Sequence, residues 1–317
     1  MNNSPVQSPL FSDTAIANEA SLKDSTQTTS TTVKKASTQT GGPIINARRV
    51  ESPSSINTYK QCPRKYFYQY IMKYPTAFNI HTVLGNVVHS ILEKFYDQDI
   101  RSYTDLDYGS AFQGHIQELL MKQWAEAKPK LAQINIVGDI EKHYFEEAAL
   151  MLLNWVDKLC AKIRAYPGDF HEAFAAIKPT REREYKSAAL SVRGFIDAIE
   201  DGQGRVRLMD YKTSKRFEMS HEYKLQLGIY ALMYTEQHGQ APEEVGLYFL
   251  KDPYQFEYTI PVNQDLLDFA RVEIEVMHIN TQASAIEDYP KHVTSLCKWS
   301  TGQCDFYDRC FKQKTLE

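Results

Sequence analysis

The chain has 317 residues, 43% of them hydrophobic and 24% charged, the balance of an ordinary globular protein. Its formal net charge of −4 speaks against a protein whose whole surface coats nucleic acid, since such binding rests on an excess of Lys and Arg. No run of about 18 or more apolar residues offers a membrane span, and five cysteines, an odd count, do not suggest an extracellular disulfide framework. The opening MNNSPVQSPLF lacks the layout of a secretory signal. A cytoplasmic protein that does not enter the membrane is therefore expected.

Residues 1–48 are rich in Ser, Thr, Gln and Asn and poor in large apolar side chains. Such a segment buries too little surface to offset its ordering entropy, so a disordered tail is expected. Asp13, Glu19 and Asp24 argue against a transit peptide. Order should begin near Ser52, with Ser54 or Ser55 capping a short helix. After Pro63 comes an aromatic and basic run containing Arg64, Lys65, Tyr66, Phe67, Tyr68 and Tyr70. TVLGNVVHSILEKFYDQ then places Leu84, Val88, Ile91, Leu92 and Phe95 at helical spacing. Residues 110–165 read as two or more amphipathic helices, the second around EEAALMLLNWVDKLCAKI.

The pattern next changes to three short strands, about 181–187, 189–200 and 204–212. Asp201, Gly202 and Gly204 supply a hairpin turn between the second and third. A helix over about 221–238 closes at Gly239, a strand follows at 245–251, and a last helix spans about 263–281. A cysteine-bearing tail ends the sequence, and no internal repeat is present. Helix, three strands, helix, strand is an α/β arrangement.

Asp210 and Lys212 lie two apart on a strand, so a carboxylate and an ammonium point to one face. Alone the triplet is common: Glu126–Lys128, Glu184–Lys186 and Glu222–Lys224 repeat it. Asp197 changes its meaning, because it sits in the apolar strand GFIDAIE, where a lone carboxylate is costly unless paired or metal-bound. The glycine turn folds this strand back beside Asp210, giving an oxygen-rich pocket suited to Mg²⁺ or Mn²⁺. The alternative is a hairpin whose Asp197 makes a buried hydrogen-bonded link. His89 is a further ligand candidate, with Gly85 one turn earlier letting the helix lie close to a neighbouring backbone. Gln226 and Tyr230 share a helical face and could reach a phosphate or the attacking water.

The ordered set Gly85-x-x-x-His89, Gly194-x-x-Asp197, Asp210-Tyr211-Lys212-Thr213 and Gln226-x-x-x-Tyr230 resembles the RecB-like and Cas4-like branch of the PD-(D/E)XK nucleases. The opening SINTYKQCPRKYFYQYI is similar to the start of that branch, so the resemblance spans about residues 52–312. It implies a restriction-endonuclease-like core, a mixed central sheet flanked by helices. A helical insertion would fall at about 100–178 of a single 49–317 domain. It also implies that His89, Asp197, Asp210 and the Tyr211 carbonyl hold one or two divalent cations. Lys212 would orient the attacking water and offset developing charge, with Gln226 and Tyr230 assisting. Glu184 would have a structural or supporting role, since its own triplet precedes Asp197.

Cys62, Cys297, Cys304 and Cys310 form a second constellation, with the trio inside the 295–312 tail, whereas Cys160 lies on an apolar helix face and reads as core. One early cysteine and a late trio resemble the iron–sulfur arrangement of Cas4-like and AddB-like nucleases, which implies a [4Fe-4S] cluster. The closing Cys304-x5-Cys310 matches that pattern, but Thr301 stands where the preceding ligand is expected, four residues after Cys297. Zinc on four thiolates, or four free cysteines, are the alternatives. Arg64, Lys65 and Tyr66, with Tyr68, Lys298 and Trp299, could then form an edge for single-stranded DNA. The expected function is a DNA nuclease, an exonuclease on single strands or ends in repair, recombination or mobile-element biology. The alternatives are a silent nuclease-like DNA-binding or assembly subunit, or a metal-stapled scaffold. With no Gly-x4-Gly-Lys-Ser/Thr loop in the sequence, unwinding would need a helicase or recombination partner.

Overall fold

The structure, a computed structural model, describes residues 49–312 apart from 203, 253, 255 and 301. The expected tail over 1–48 and Thr301 lie outside the described residues. Helix α1 (Pro53–Gln61) starts one residue after Ser52, which is the cap in place of Ser54 or Ser55. Ser52 Oγ accepts from the Ser55 N–H at 3.1 Å and Ser55 Oγ from the Ser52 N–H at 2.7 Å, a reciprocal capping box with Pro53 at the first helical position. The short α2 (Pro63–Tyr66) continues into a π-helical turn, Phe67–Ile71.

Asn79 caps α3 (Ile80–Phe95), which buries Val83, Leu84, Val87, Val88, Ile91, Leu92 and Phe95 along one stripe. Between α3 and the sheet come α4 (Tyr108–Gln133), α5 (Asp139–Ala165) and α6 (Phe170–Ile177), the last not foreseen as a separate element. The strands follow: β1 (Thr180–Ser187), β2 (Val192–Gly202) and β3 (Arg205–Lys212). Gly202 pairs with Arg205, and Gly204 takes φ +74° in the turn between them. Helix α7 (His221–His238) closes on Gly239 at φ +72° and leads to β4 (Glu244–Phe249). A strand that was not anticipated, β5 (Glu257–Pro261), precedes α8 (Gln264–Asn280). The tail holds a two-residue pairing of β6 (Lys298–Trp299) with β7 (Gly302–Gln303), then α9 (Tyr307–Phe311).

The sheet runs β1-β2-β3-β4-β5. Its pairs are antiparallel except β3–β4, which are parallel and joined by the α7 crossover. One core packs α3, α4, α5 and α6 on Ala198, Met209, Tyr211 and Tyr248. The other packs α1, α7 and α8 on Ile196, Leu208, Leu247 and Phe249. This is the mixed sheet between helical layers that the sequence predicts. Among the described residues no helix is long and apolar enough to cross a membrane.

Candidate active site

β2 and β3 pair from Gly202–Arg205 as far as Ala198–Met209. Beyond that point, where Asp197 would face Asp210, a side chain takes over from the ladder: the Tyr211 N–H donates to Asp197 Oδ2 at 2.8 Å. His89 Nδ1 on α3 stands 3.2 Å from the same oxygen. Asp197 is thus buried but partnered, and it holds the two strands apart at their end.

Asp210 and Lys212 project together from β3. Lys212 Nζ lies 2.6 Å from Asp210 Oδ2 and donates to Gln226 Oε1 at 2.9 Å. Gln226 Nε2 donates to Asp210 Oδ1 at 2.7 Å and to the Tyr230 hydroxyl at 2.8 Å. One amide therefore turns its carbonyl to the cation and its NH₂ to the carboxylate, which fixes both. Tyr223 lays its ring 4.7 Å from Lys212 Nζ. Gly194 makes room for this arrangement, because a methyl there would meet the Tyr230 ring at 3.1 Å and Met233 at 3.2 Å. Gly85 does not play the part expected of it. A methyl at that position would meet only Thr213 Oγ1, at 3.6 Å, which is ordinary contact rather than a close backbone approach.

Sequence reasoning missed Glu182. It falls between the Arg181–Ala198 and Arg183–Ile196 pairs, opposite Asp197, with φ +44°. A non-glycine residue in this region costs about 1–3 kcal/mol and is held by its surroundings. His89, Glu182 and Asp197 each bring a ligand atom within 4.8 Å of the others. Glu184, given a structural or supporting role from sequence, pairs with Lys186 at 2.9 Å. The signal that could have found Glu182 is its register against Asp197 in the REREYKS strand.

The charges are strongly coupled. Burial pushes the Glu182 carboxyl up, and the carboxylates of Asp197 and Glu93 push it further, to about 7. Burial opposes charge on His89, but Asp197 and Asp210 overcome it and raise the imidazole to about 9. Asp197 is held low against its burial by His89, while burial and the facing Asp197 raise Asp210 despite Lys212. Without metal, His89 and Lys212 supply the counter-charge. The donor set, carboxylate oxygens and one imidazole, fits a hard divalent cation with Mn²⁺ as well served as Mg²⁺.

His89, Asp197, Asp210, Lys212, Gln226 and Tyr230 line a cleft of ≈ 750 Å³, with Tyr211, Thr213, Lys215, Arg216, Tyr223 and Lys251 on its walls. The DNA edge expected of Arg64, Lys65 and Tyr66 does not form in that way. Tyr66 is wholly buried, its hydroxyl donating to Glu51 Oε1 at 2.6 Å and its ring stacked on Tyr70 and Tyr289. It cannot stack on a base. Arg64 donates to the Tyr289 carbonyl at 2.7 Å and Lys65 to Gln61 Oε1 at 3.0 Å. Tyr68 is buried too, while Trp299 is 47% exposed.

Cys160 is buried in the core, as expected. Cys62 sits at the α1–α2 junction, and the Cys304 N–H donates to the Cys297 carbonyl at 2.9 Å. Cys62, Cys297 and Cys304 line a second cleft of ≈ 470 Å³, and burial, with the neighbouring Cys62, raises the thiols of Cys304 and Cys310. Among the described residues, no three of these sulfurs fall within 4.8 Å of one another.

An acid–lysine set thus stands where two strands part, beside a parallel crossover. The model of the PD-(D/E)XK nuclease superfamily matches residues 51–311, and the chain belongs to that superfamily. A crystal structure of a candidate exonuclease from Eubacterium rectale is similar over 86% of this chain and 90% of that one, at 11% identity and a TM-score of 0.45. No curated protein sequence matches the chain.

Proposed function

We propose that the chain is a metal-dependent DNA nuclease of the RecB-like and Cas4-like branch. It acts as an exonuclease on single strands or ends, in repair, recombination or mobile-element biology, beside a separate helicase or recombination partner. The observation that carries this reading is the Asp210–Lys212–Gln226–Tyr230 chain of contacts facing Asp197 across the parted strands. A dead fold has no need to keep Lys212 at 2.6 Å from a buried Asp210.

His89, Asp197 and Asp210, with the Tyr211 carbonyl and Glu182, would hold the cation. Bound there, a divalent ion supplies charge stabilisation for the transferred phosphoryl group and acidifies water. Lys212, fixed by Gln226, presents its ammonium where a water must be oriented and negative charge develops. Tyr230 locks Gln226, so its own role is positioning. Asp197 keeps His89 aimed at the site.

The four cysteines Cys62, Cys297, Cys304 and Cys310 would carry a [4Fe-4S] cluster that ties α2 to the tail. Zinc on the same four thiolates is the alternative.

The test is to purify the full chain without oxygen and time its cutting of end-labelled single- and double-stranded DNA in Mg²⁺, Mn²⁺ or EDTA. Metal-dependent cutting absent from Lys212→Ala and Asp210→Ala is the expected result, and the product ladder gives polarity. No cutting by folded protein in either metal would identify a binding subunit instead. Iron, sulfide and zinc analysis of the same preparation decides the cysteine site.

A further inference from the structure

Glu147, on α5, reaches across to the cleft and takes two lysines on one oxygen. Its Oε1 lies 3.1 Å from Lys251 Nζ and 3.2 Å from Lys215 Nζ. Its other oxygen, Oε2, is buried with no hydrogen-bond partner among the described residues. Burial would lift this carboxyl, yet the two ammonium groups hold it below its ordinary value, so it is ionised. An ionised carboxylate with one satisfied oxygen is a poor permanent partner, because the desolvation of the idle oxygen is not offset.

Lys251 occupies an equally particular place. Its side chain is only 10% exposed, yet it lines the same cleft as Asp210 and Lys212. It lies two residues past β4, where the Leu250 N–H donates to the Lys212 carbonyl at 3.0 Å, so backbone pairing carries it alongside the end of β3. Lys215 and Arg216, three and four residues past Lys212, extend the same positive wall toward solvent. In a chain of net charge −4, Lys215, Arg216 and Lys251 are gathered in the cleft that also holds Asp197 and Asp210.

We infer that Lys251 and Lys215 form a phosphate subsite for the nucleic-acid backbone next to the cleavage point, and that Glu147 occupies it until substrate displaces it. The inference rests on the nuclease reading. A backbone phosphate offers both lysines separate oxygens, which Glu147 does not. The carboxylate then serves as a built-in competitor, keeping two cations in place while the cleft is empty.

The test measures binding of a labelled single-stranded oligonucleotide, in Mg²⁺ over a range of salt, to the full chain carrying Asp210→Asn to stop cutting. Adding Lys251→Gln should weaken binding several-fold and flatten the log–log salt slope by about 0.7, one phosphate contact on a single strand. Adding Glu147→Gln should instead tighten binding several-fold. A merely structural tie predicts a lower melting temperature for both variants and no gain in affinity for Glu147→Gln. Where Lys251→Gln does not fold, Lys215→Gln carries the same arm, because its side chain is 73% exposed and anchors nothing in the core. An unchanged slope in the lysine variant, or no tightening with Glu147→Gln, overturns the inference. If the Asp210→Asn parent binds no oligonucleotide and the unsubstituted chain cuts none, the nuclease reading has failed. If the chain cuts while either arm is missing, only the subsite is wrong.

Discussion

Charge gathers around the β2–β3 hairpin at two places, half-buried toward the turn and buried at the parted end, and they are built on opposite terms. Toward the turn, Glu200, Glu244 and Glu257 face Lys162, Arg205 and Arg207. Arg207 alone lies 3.1 Å from Glu200, 3.2 Å from Glu244 and 2.8 Å from Glu257. Lys162 adds 2.8 Å to Glu257 and Arg205 adds 3.3 Å to Glu244. At the parted end, Asp197, Asp210 and Glu182, with Glu93 nearby, are faced by His89 and Lys212. Burial lifts a carboxyl in both places. Lys162 and Arg207 then carry Glu257 down to about 2, whereas other carboxylates carry Glu182 up to about 7. Balanced charge fastens strands together; an excess of one sign in a cleft is a vacancy for the other.

The largest effect expected from this contrast is on cutting. Asp210→Asn removes a ligand and the partner of Lys212 together, so the rate should fall on the order of 10³-fold or more, read in the metal-dependent assay. Arg207→Ala, at the balanced place, should leave cutting unchanged but destabilise the fold by about 2 kcal/mol. The denaturant midpoint reads that loss. If Arg207→Ala removed activity without loss of stability, the two places would not differ as argued.

Acid sharpens the same comparison. Glu257 has a folded pKa of about 2, below its ordinary 4.5. A depressed carboxyl contributes stability that is complete above the unfolded value and is lost as pH falls from 4.5 toward about 2. Melting temperature should therefore drop across that window in the parent. Arg207→Ala should show a shallower drop, and identical slopes would remove Arg207 as the cause.

A smaller change is expected at Glu182. In EDTA its charge adds to an unrelieved excess, so Glu182→Gln should raise metal-free stability by about 1 kcal/mol, a gain of the kind found where function keeps a strained site. The same variant should weaken Mn²⁺ binding in calorimetry. Stabilisation with undiminished metal affinity would leave Glu182 outside the ligand set.

What sequence could and could not supply divides by the distance over which residues interact. The strand carrying Asp197, the turn at Gly204 and the strand carrying Asp210 and Lys212 are neighbours in the chain, so turn chemistry and alternation were enough to bring them together. Helix α7 was bounded correctly because Gly239 ends it and its Gln226–Tyr230 spacing is local. Glu182 escaped because it belongs to no triplet or motif, and its positive φ departs from the regular strand by which its neighbours were read. Tyr66 was misread because its partners Glu51 and Tyr289 come from different segments, and an aromatic run beside basic residues looks like a surface until they are packed on it. The Glu147–Lys251 contact joins α5 to the end of β4, and no periodicity reports it.

The smallest effect is expected at Gly85, and it tests the reading of a motif rather than of a charge. Gly85, one turn before His89, suggested a helix pressed against a neighbouring backbone, in which case any side chain at 85 would push His89 from Asp197. The only contact a methyl would make is Thr213 Oγ1 at 3.6 Å. Gly85 also lies inside α3, where glycine costs about 0.5–1 kcal/mol relative to alanine. Gly85→Ala should thus stabilise the fold by a few tenths of a kcal/mol up to that amount and leave metal-free His89 in place. Differential scanning calorimetry with and without Mn²⁺ separates the two accounts. A higher melting point with the metal-induced increment intact fits the observed spacing, whereas a lost increment would mean that substrate or metal draws α3 closer to β3 than the empty cleft does, so that glycine is needed only in the loaded state.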